Sequence, residues 1–359
     1  MASRRINLLV LEGDGIGPEI TRASVDVLRH VDGLYGLGLE FSYGDIGFTS
    51  LKAEGTTFTK GVLEAARAAD GIVLGPVSHN AYPPVAEGGL NPSGELRKNL
   101  DLFANIRPSR TRDGVEAPSR KAFDLIVVRE NTEGFYADRS MFMGPGEVMP
   151  TEDVALAIRK ITRHASLRIA REAFNLALSR RRKVCVVHKA NVLRLSDGLF
   201  LEATRAVAKD YPDVEVEEQL VDAMAALLVR DASRYDVIVT TNMYGDILSD
   251  EAAELAGGLG LGASLNAGEK HGLAQAAHGS APTLAGQDKA NPSALIGSAA
   301  MLLIWLAART GRPECAEAGA AIEAALDRTI ANPATRTPDL GGSLGTTAFT
   351  AALIEGIGR

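Results

Sequence analysis

Short apolar runs with no polar break constrain this chain most, because they set the kind of sheet that it can form. The runs "LIVV" (125–128) and "VIV" (237–239) are apolar on successive residues, so strands there bury both faces. Two buried faces are typical of a mostly parallel sheet covered by helices. Helical patterns separate such runs, as in "PEITRASVDVLRHV" (18–31) after "INLLVLEGDG" (6–15). The sequence therefore predicts the α/β fold class.

Composition limits the classes of protein to consider. The chain has 359 residues, of which 46% are hydrophobic and 23% charged, enough for two domains. A net charge of −7 argues against nucleic acid as the main partner. The longest apolar stretch, "SALIGSAAMLLIWLAA" (293–308), predicts a buried helix rather than a membrane span, and we expect a cytoplasmic protein. Two cysteines give no disulfide framework.

A glycine-rich stretch near the start could be mistaken for a dinucleotide fingerprint. "LEGDGIGPE" (11–19) spaces its glycines as GxGxG rather than GxGxxG, and proline follows the third. Proline at the first helical position with an acid behind it is typical of a helix start. The stretch predicts a tight strand-to-helix turn and is weak evidence for phosphate binding.

Two aspartates, Asp246 and Asp250, stand four residues apart after the apolar run "YDVIVTTN" (235–242). Residues at that spacing are neighbours on a helix, where like charges repel unless something neutralises them. One interpretation is a solvated first helical turn that suits the helix dipole. The other is a site for a divalent cation, and these residues alone leave both open.

Basic side chains at predicted strand ends suggest an anion site. Arg129 ends the strand "FDLIVV" (123–128), Lys189 follows "KVCVVH" (183–188), and Arg97 and Arg107 flank an amphipathic segment. Ligands bind at strand ends in α/β sheets, and guanidinium suits bidentate carboxylate recognition. Each residue could instead form an ordinary salt bridge or cap. Together with the aspartates, they favour a small polycarboxylate held by arginines and a metal, with Lys189 as acid or base.

Seven motifs in order carry a resemblance to a known family. They are "GDGIGPE" (13–19), "LRKNLDLFANIRP" (96–108), "VVRENTEGFY" (127–136), "VHKANVLRLSDGLF" (187–200), "NMYGDILSDEAAELAGGLG" (242–260), "HGSAPTLAGQDKANPSA" (278–294) and "TPDLGG" (337–342). In these motifs the chain resembles the β-decarboxylating dehydrogenases, which act on isocitrate, homoisocitrate, 3-isopropylmalate and tartrate or D-malate.

The resemblance implies a role for each matching residue. Lys189 would take the hydroxyl proton, Tyr136 would protonate the enol carbon after carbon dioxide leaves, and Asp222 would act with Lys189 from the partner subunit. Mg²⁺ or Mn²⁺ would be bound by Asp222, Asp246 and Asp250. The residues implied to bind the substrate are Asn91, Ser93, Arg97, Arg107, Arg129 and Asn191. Those implied to contact the nicotinamide cofactor are Gln275, His278, Gly279, Ser280, Ala281, Thr283 and Asn291.

The family also implies an architecture. Its fold has two domains and a mixed sheet, and it is not a Rossmann fold. We expect a large cofactor-binding domain from 1–101 and 256–359, and a small domain from 102–255 with a dimerisation arm near 137–153. The glycines, prolines and methionines of that arm also fit an ordinary long loop. The active sites of the expected homodimer are shared between its subunits.

Three departures from the family pattern bear on cofactor and substrate. Gln275 replaces a glutamate near the nicotinamide. Thr283 is neither the aspartate of many NAD enzymes nor the lysine of an NADP branch, and "TPDLGG" (337–342) lacks that branch's tyrosine and arginine, which favours NAD over NADP. Asn91 and Ser93 stand where isocitrate enzymes carry serine and asparagine, so the predicted pocket is small and polar.

We therefore predict a metal- and NAD-dependent oxidative decarboxylase of a 3-substituted (R)-malate, with isocitrate or a close relative as substrate. The alternative substrates are 3-isopropylmalate, homoisocitrate, D-malate and tartrate. A non-catalytic regulatory subunit and a nucleotide-binding module without chemistry are alternatives of other classes. An enzyme is favoured because all of the implied arginines, the lysine, the tyrosine and the aspartates are present.

Overall fold

The structure is a computed structural model that describes residues 5–136, 141, 144 and 146–358. Its strands are β1 (Ile6–Leu11), β2 (Leu39–Tyr43), β3 (Gly71–Leu74), β4 (Ala104–Arg110), β5 (Asp124–Glu130), β6 (Glu147–Thr151), β7 (Val154–Ala157), β8 (Lys183–His188), β9 (Glu215–Leu220), β10 (Val237–Thr240), β11 (Leu265–Ala267) and β12 (Gly272–Gln275). Its α-helices are α1 (Gly17–Tyr35), α2 (Gly47–Glu54), α3 (Lys60–Ala68), α4 (Pro92–Asn99), α5 (Arg163–Leu178), α6 (Ser196–Ala208), α7 (Val221–Asp231), α8 (Asn242–Leu255), α9 (Ser293–Thr310), α10 (Pro313–Ala331) and α11 (Thr346–Gly356). The order of the elements confirms the α/β class.

The chain divides into two compact units. Unit 1 contains Met1–Leu100, Arg112–Glu116 and Leu259–Arg359, and unit 2 contains Asp101–Thr111 and Ala117–Gly258. Their boundaries differ from those of the predicted domains mainly at Arg112–Glu116, which belongs to unit 1. The roles given to the two domains stay predictions.

Five strands of unit 1 lie side by side in the order β2-β1-β3-β12-β11, and of these neighbouring pairs only β11–β12 is antiparallel. The turn between β1 and α1 is as tight as predicted. Gly13 and Gly15 have φ angles of 76° and 60°, and a Cβ on Gly15 would lie 2.0 Å from the Ser280 carbonyl oxygen. The turn therefore needs glycine both for its left-handed backbone and for its close packing on the loop at 280.

Helix α9 of unit 1 is 18 residues long, and its mean hydropathy of 1.5 is high enough for a membrane span on length and composition alone. Because 67% of that helix is buried inside the structure, it has the environment of a core helix, as the sequence predicted.

Five strands of unit 2 lie side by side in the order β4-β5-β10-β8-β9, in which β4 runs antiparallel to β5 and the other neighbours are parallel. The apolar runs of β5 and β10 are buried along their length, as predicted for strands covered on both faces. The parallel strands β5, β10 and β8 end at the same edge of the sheet, so the residues that follow them meet there.

Strands β6 and β7 form an antiparallel hairpin in which each strand residue is exposed. The hairpin falls within and just after the predicted dimerisation arm. Residues 137–140, 142, 143 and 145 of that arm lie outside the described residues. The exposed hairpin is compatible with an arm that packs on another chain, and that role stays a prediction.

Candidate active site

Helix α8 places the two predicted aspartates beside a buried arginine. It begins at Asn242, directly after β10, so Asp246 and Asp250 are its fifth and ninth residues and lie beyond the first turn. The interpretation of a solvated acidic first turn is therefore wrong. Thr240 of β10 lies opposite Arg129 of β5, and the Arg129 guanidinium forms an ion pair with Asp246. Arg129 is 2% exposed, so this charge is paired inside the protein.

Arg107 neutralises the second aspartate. It lies opposite Val127 in the β4–β5 pair, and its side chain contacts α8. Its Nη1 donates to Asp250 Oδ1 at 3.0 Å and to Ser249 Oγ at 2.8 Å, and it lies 3.3 Å from Asp246 Oδ1. Burial raises the pKa of Asp250, and the Arg107 charge opposes that rise. Two guanidiniums thus compensate two carboxylates that would otherwise repel each other.

Tyr136 belongs to the same cluster. Its hydroxyl donates to Asp246 Oδ2 at 3.2 Å, and the Arg129 guanidinium lies 5.7 Å from the centre of its ring. The structure therefore brings four predicted site residues together with Tyr136, namely Arg107, Arg129, Asp246 and Asp250. A phenol in contact with a carboxylate and a cation can donate a proton to a substrate bound there.

Lys189 and Asp222 form a separate ion pair. Lys189 directly follows β8 and Asp222 lies in the first turn of α7 after β9, and the two strands are parallel neighbours, with His188 opposite Leu220. The hydrogen bond from Lys189 lowers the pKa of Asp222. Asn191 is exposed in the turn that follows Lys189.

The donor set of α8 fits a hard divalent cation in kind. The side chains of Asp246 and Asp250 are 34% and 48% exposed, and carboxylate oxygens are the ligands that Mg²⁺ and Mn²⁺ prefer. Among the described residues, no three His, Cys, Asp or Glu side chains are close enough to one another to hold a metal. Asp222 of the same chain therefore does not complete the set with Asp246 and Asp250.

The predicted substrate-selecting residues of unit 1 converge on Gln275. Ser93 Oγ donates to Gln275 Oε1 at 3.0 Å, and Arg97 Nη2 donates to the same oxygen at 3.1 Å. Ser93 and Gln275 are both buried. Asn91 has a structural role as well, since its side chain caps helix α4 by accepting from the Gly94 amide at 3.2 Å.

The predicted cofactor segment is a loop that packs on the glycine-rich turn of unit 1. The Ser280 hydroxyl lies 2.7 Å from that of Ser78, and the Ser280 carbonyl accepts from the Ile16 amide at 2.9 Å. Ala281 has a φ of 35°, and Gly279 and Thr283 are exposed. The turn therefore packs against this loop at Gly15, next to the Ser280 backbone.

His278 and Asn291 lie at the two ends of the cofactor segment, near "TPDLGG" (337–342). Asn291 Nδ2 donates to Asp339 Oδ2 at 2.9 Å, and Thr337 donates to the other oxygen of Asp339. Burial lowers the pKa of His278. Asp339 therefore joins the predicted residues as a polar group of this loop.

Sequence reasoning missed Asn242 and Ser249, which orient the arginines. Asn242 Oδ1 accepts from Arg129 Nε at 2.9 Å and from Nη2 at 2.6 Å, and Ser249 binds Arg107. Asn242 lies four residues before Asp246 and Ser249 three after it, so both share its helix face. Helical spacing around the aspartates was the signal that could have identified them.

Glu133 lies in the segment before Tyr136, and it gives the fold a predictable pH dependence. Its carboxylate accepts from the amide and hydroxyl of Thr162 at 2.8 and 2.9 Å. Burial, together with the nearby Glu130, raises its pKa to about 7. The folded state therefore holds this proton more tightly than the unfolded state, and its contribution to stability is largest below about pH 4.5 and is lost as pH rises through 7.

We expect Glu133→Gln to be more stable than the unmodified chain at pH 8, by up to about 2–3 kcal/mol, because the neutral amide removes that loss. Urea unfolding at pH 5, 6, 7 and 8 measures the effect. The two stability curves should diverge as the pH rises, and parallel curves would contradict the prediction.

Comparison with known proteins identifies the class. Residues 7–357 match the isocitrate/isopropylmalate dehydrogenase family. The chain is 40% identical over 343 residues to the 3-isopropylmalate dehydrogenase of Archaeoglobus fulgidus, covering 95% of this chain and 96% of that protein. It is 41% identical over 352 residues to the isocitrate/homoisocitrate dehydrogenase of Thermus thermophilus, covering 98% of each.

The structure agrees with that result. The crystal structure of isocitrate dehydrogenase from Methylococcus capsulatus superimposes with a TM-score of 0.87 at 36% identity, covering 99% of this chain and 100% of that one. The chain belongs to the isocitrate/isopropylmalate dehydrogenase family, as its motifs predicted, and it has the fold of that family. It is a decarboxylating hydroxy-acid dehydrogenase, and the names of its relatives give more than one substrate.

Proposed function

We propose that this chain oxidises and decarboxylates isocitrate or a close relative with NAD and Mg²⁺ or Mn²⁺, as a cytoplasmic homodimer. The observation that carries the proposal is the cluster of Arg107, Arg129, Tyr136, Asp246 and Asp250 at one edge of the unit 2 sheet. It combines cations for substrate carboxylates, oxygens for a metal and a phenol for proton transfer. Such a combination suits the chemistry of a malate-type substrate.

Each residue has a defined task in this mechanism. Arg107 and Arg129 hold the substrate carboxylates, for which their guanidiniums are geometrically suited. Lys189 would accept the proton of the substrate hydroxyl, and bound NAD would supply the hydride acceptor for that oxidation. Tyr136 donates a proton to the carbon that loses carbon dioxide. Asp246 and Asp250 would hold a divalent ion, which would supply Lewis-acid stabilisation of negative charge on the substrate.

We propose that Lys189 and Asp222 serve the active site of a second subunit. Because the two side chains form an ion pair, both would contribute to the same site of the second subunit. The residues beside Lys189 support this, because Val192 is 65% and Leu195 is 89% exposed. Covering such exposed apolar side chains with another chain removes them from water and stabilises the complex. Asp222 would then be the third metal ligand, from across the dimer.

The Gln275 cluster favours a substrate with an anionic C3 substituent. Gln275 is neutral, so it hydrogen-bonds Arg97 without cancelling its positive charge. A glutamate at that position would form an ion pair with Arg97. The Arg97 guanidinium and the buried Ser93 hydroxyl suit the extra carboxylate of isocitrate or homoisocitrate better than the isopropyl group of 3-isopropylmalate. D-malate and tartrate remain the smaller alternatives.

NAD is proposed as the cofactor for loop 278–291. The acidic Asp339 lies beside Asn291, and a carboxylate near a ribose favours free hydroxyls over a 2′-phosphate. Thr283 brings no positive charge to this loop. The competing proposal, a non-catalytic regulatory subunit, is disfavoured by the intact set of arginines, tyrosine, lysine and aspartates.

The test is NADH formation by the purified chain with Mn²⁺, across isocitrate, homoisocitrate, 3-isopropylmalate, D-malate and tartrate. We expect turnover with a tricarboxylate that disappears on chelation and is weaker with NADP. Best turnover with 3-isopropylmalate would overturn the substrate assignment and leave the enzyme class intact. Silence across the panel, with thermal stabilisation by NADH retained, would favour the regulatory subunit.

The variant Gln275→Glu tests the charge argument. It should lower kcat/KM for isocitrate about tenfold, because the new carboxylate neutralises Arg97. Turnover of D-malate, which has no third carboxylate, serves as the control and should change much less. An equal loss on both substrates would contradict a role of Arg97 in recognising the C3 group.

A further inference from the structure

We infer that Arg159 and Asp197 form a buried positioning pair that fixes the backbone of Lys189 and the segment leading to Tyr136. The inference rests on the proposed function for the catalytic roles of Lys189 and Tyr136. Neither member of the pair touches the cluster on α8 directly. Their effect on the reaction would be indirect, through the placement of the two residues that move protons.

Asp197 anchors the segment that carries Lys189. It is the second residue of α6 and is 0% exposed. Its Oδ2 accepts from the Lys189 amide at 2.5 Å, and its own amide donates to the Leu193 carbonyl at 3.0 Å. Asp197 thus stabilises the turn between β8 and α6. The orientation of the backbone at Lys189 depends on that hydrogen bond.

Arg159 compensates the buried charge and connects it to α8. Its Nη1 lies 2.5 Å from Asp197 Oδ1, and its side chain is 8% exposed. The same guanidinium donates to Ser196 Oγ at 2.9 Å and to Thr241 Oγ1 at 3.1 Å. Thr241 immediately precedes Asn242, the residue that holds Arg129. One guanidinium therefore binds the starts of both α6 and α8.

Arg159 also supports the segment that carries Tyr136. Its guanidinium lies 5.7 Å from the ring centre of Phe135 and 5.2 Å from that of Tyr244. The next residue, Lys160, exchanges two backbone hydrogen bonds with Gly134, at 2.8 and 2.9 Å. Arg159 and Lys160 are thereby held against Phe135 and Gly134, the two residues that precede Tyr136.

A buried ion pair with this many fixed partners holds its neighbours in one arrangement. Arg159 donates hydrogen bonds to two hydroxyls and forms an ion pair with Asp197, and the Asp197 carboxylate accepts a backbone amide, so neither group can rotate without losing a contact. A displacement of about 1 Å at a catalytic group can cost about 10²-fold in rate. The pair should therefore influence kcat far more than substrate affinity.

The test compares Asp197→Ala and Asp197→Asn with a matched control elsewhere in unit 2. Asp236 is a second buried aspartate, with Oδ1 2.8 Å from Arg180 Nε and Oδ2 accepting the Arg181 amide at 2.8 Å. It lies at the opposite end of β10 from α8. Asp236→Asn should lower the thermal midpoint as Asp197→Asn does and leave kcat within about twofold.

We expect Asp197→Ala to lower kcat by about 10–100-fold with KM within about threefold of the original value. Asp197→Asn retains an acceptor for the Lys189 amide and should recover part of that loss. Hydrogen exchange of peptides that span 187–195 should accelerate at least about tenfold at the Lys189 amide in the alanine variant. Arg159→Met should reproduce both effects.

The exchange measurement separates this inference from the proposed function, because it needs no substrate. If the unmodified chain turns over no acid of the panel but the exchange at Lys189 accelerates as expected, the positioning role stands and the proposed function fails. If Asp197→Ala lowers the thermal midpoint while kcat and exchange at Lys189 match those of Asp236→Asn, the pair is merely structural and the inference is wrong.

Discussion

Lys189→Ala is expected to lower kcat by about 10³-fold, the largest effect on activity in this chain, because it removes the only group assigned to accept the hydroxyl proton. Little stability should be lost. The partner of Lys189 is Asp222, whose side chain is 64% exposed, and an ion pair so close to solvent contributes little to folding. Steady-state kinetics with the substrate identified by the panel, together with urea unfolding, measures both quantities.

Lys183→Ala is the matched control. Lys183 is at the start of the same strand, β8, and pairs with Glu215 and Glu217 at 3.3 Å each, so it is also a lysine held by acids. It lies at the opposite end of the strand from Lys189. The control should retain kcat within about twofold. Comparable turnover of both variants would remove Lys189 from the mechanism.

Gly245→Ala is expected to destabilise the chain by about 3 kcal/mol and to disable the cluster on α8. A Cβ at this position would lie 2.6 Å from both Cβ and Cγ of Arg129 and 3.2 Å from its Cα. Because these atoms belong to or adjoin the backbone of β5, no side-chain rotation relieves the overlap. Helix α8 and β5 would have to separate, which displaces Asp246 from Arg129.

A second glycine in a helix provides the control for Gly245→Ala. Gly33 in α1 is exposed, and an added Cβ there would meet no atom within 4 Å. Gly33→Ala should therefore stabilise the chain by about 0.5–1 kcal/mol, since alanine is the better helix former. Urea unfolding of both variants measures the two changes in stability. If Gly245→Ala destabilised the chain by no more than about 0.5 kcal/mol, β5 and α8 would separate at little cost and the prediction would be wrong.

The local elements were the part of the fold that sequence could predict. The unbroken apolar runs of β5 and β10 indicated strands buried on both faces, and both are buried. Proline after glycine indicated the start of α1, which begins at Gly17. These predictions succeeded because burial periodicity and turn chemistry act between residues close in sequence. The boundaries of the units were harder, since Arg112–Glu116 joins unit 1 through contacts that no local pattern records.

The candidate site was predictable in its residue types and not in its pairings. Strand ends and family motifs indicated Arg107, Arg129, Asp246 and Asp250, and the structure brings these four together. The sequence did not indicate that Asn91 caps a helix, nor that Gln275 is the common partner of two predicted substrate residues. It gave no sign of Arg159, which stands in no recognisable motif.

The sequence by itself determined the α/β class, the family and the chemical groups available to the reaction, because these follow from periodicity and from residues at fixed positions in motifs. Only the tertiary structure decided which groups meet. Arg107 contacts Asp250 across 143 residues of chain, and Ser93 contacts Gln275 across 182. Such contacts depend on strand order and on the antiparallel pairing of β4 with β5, and many strand orders satisfy the same local patterns.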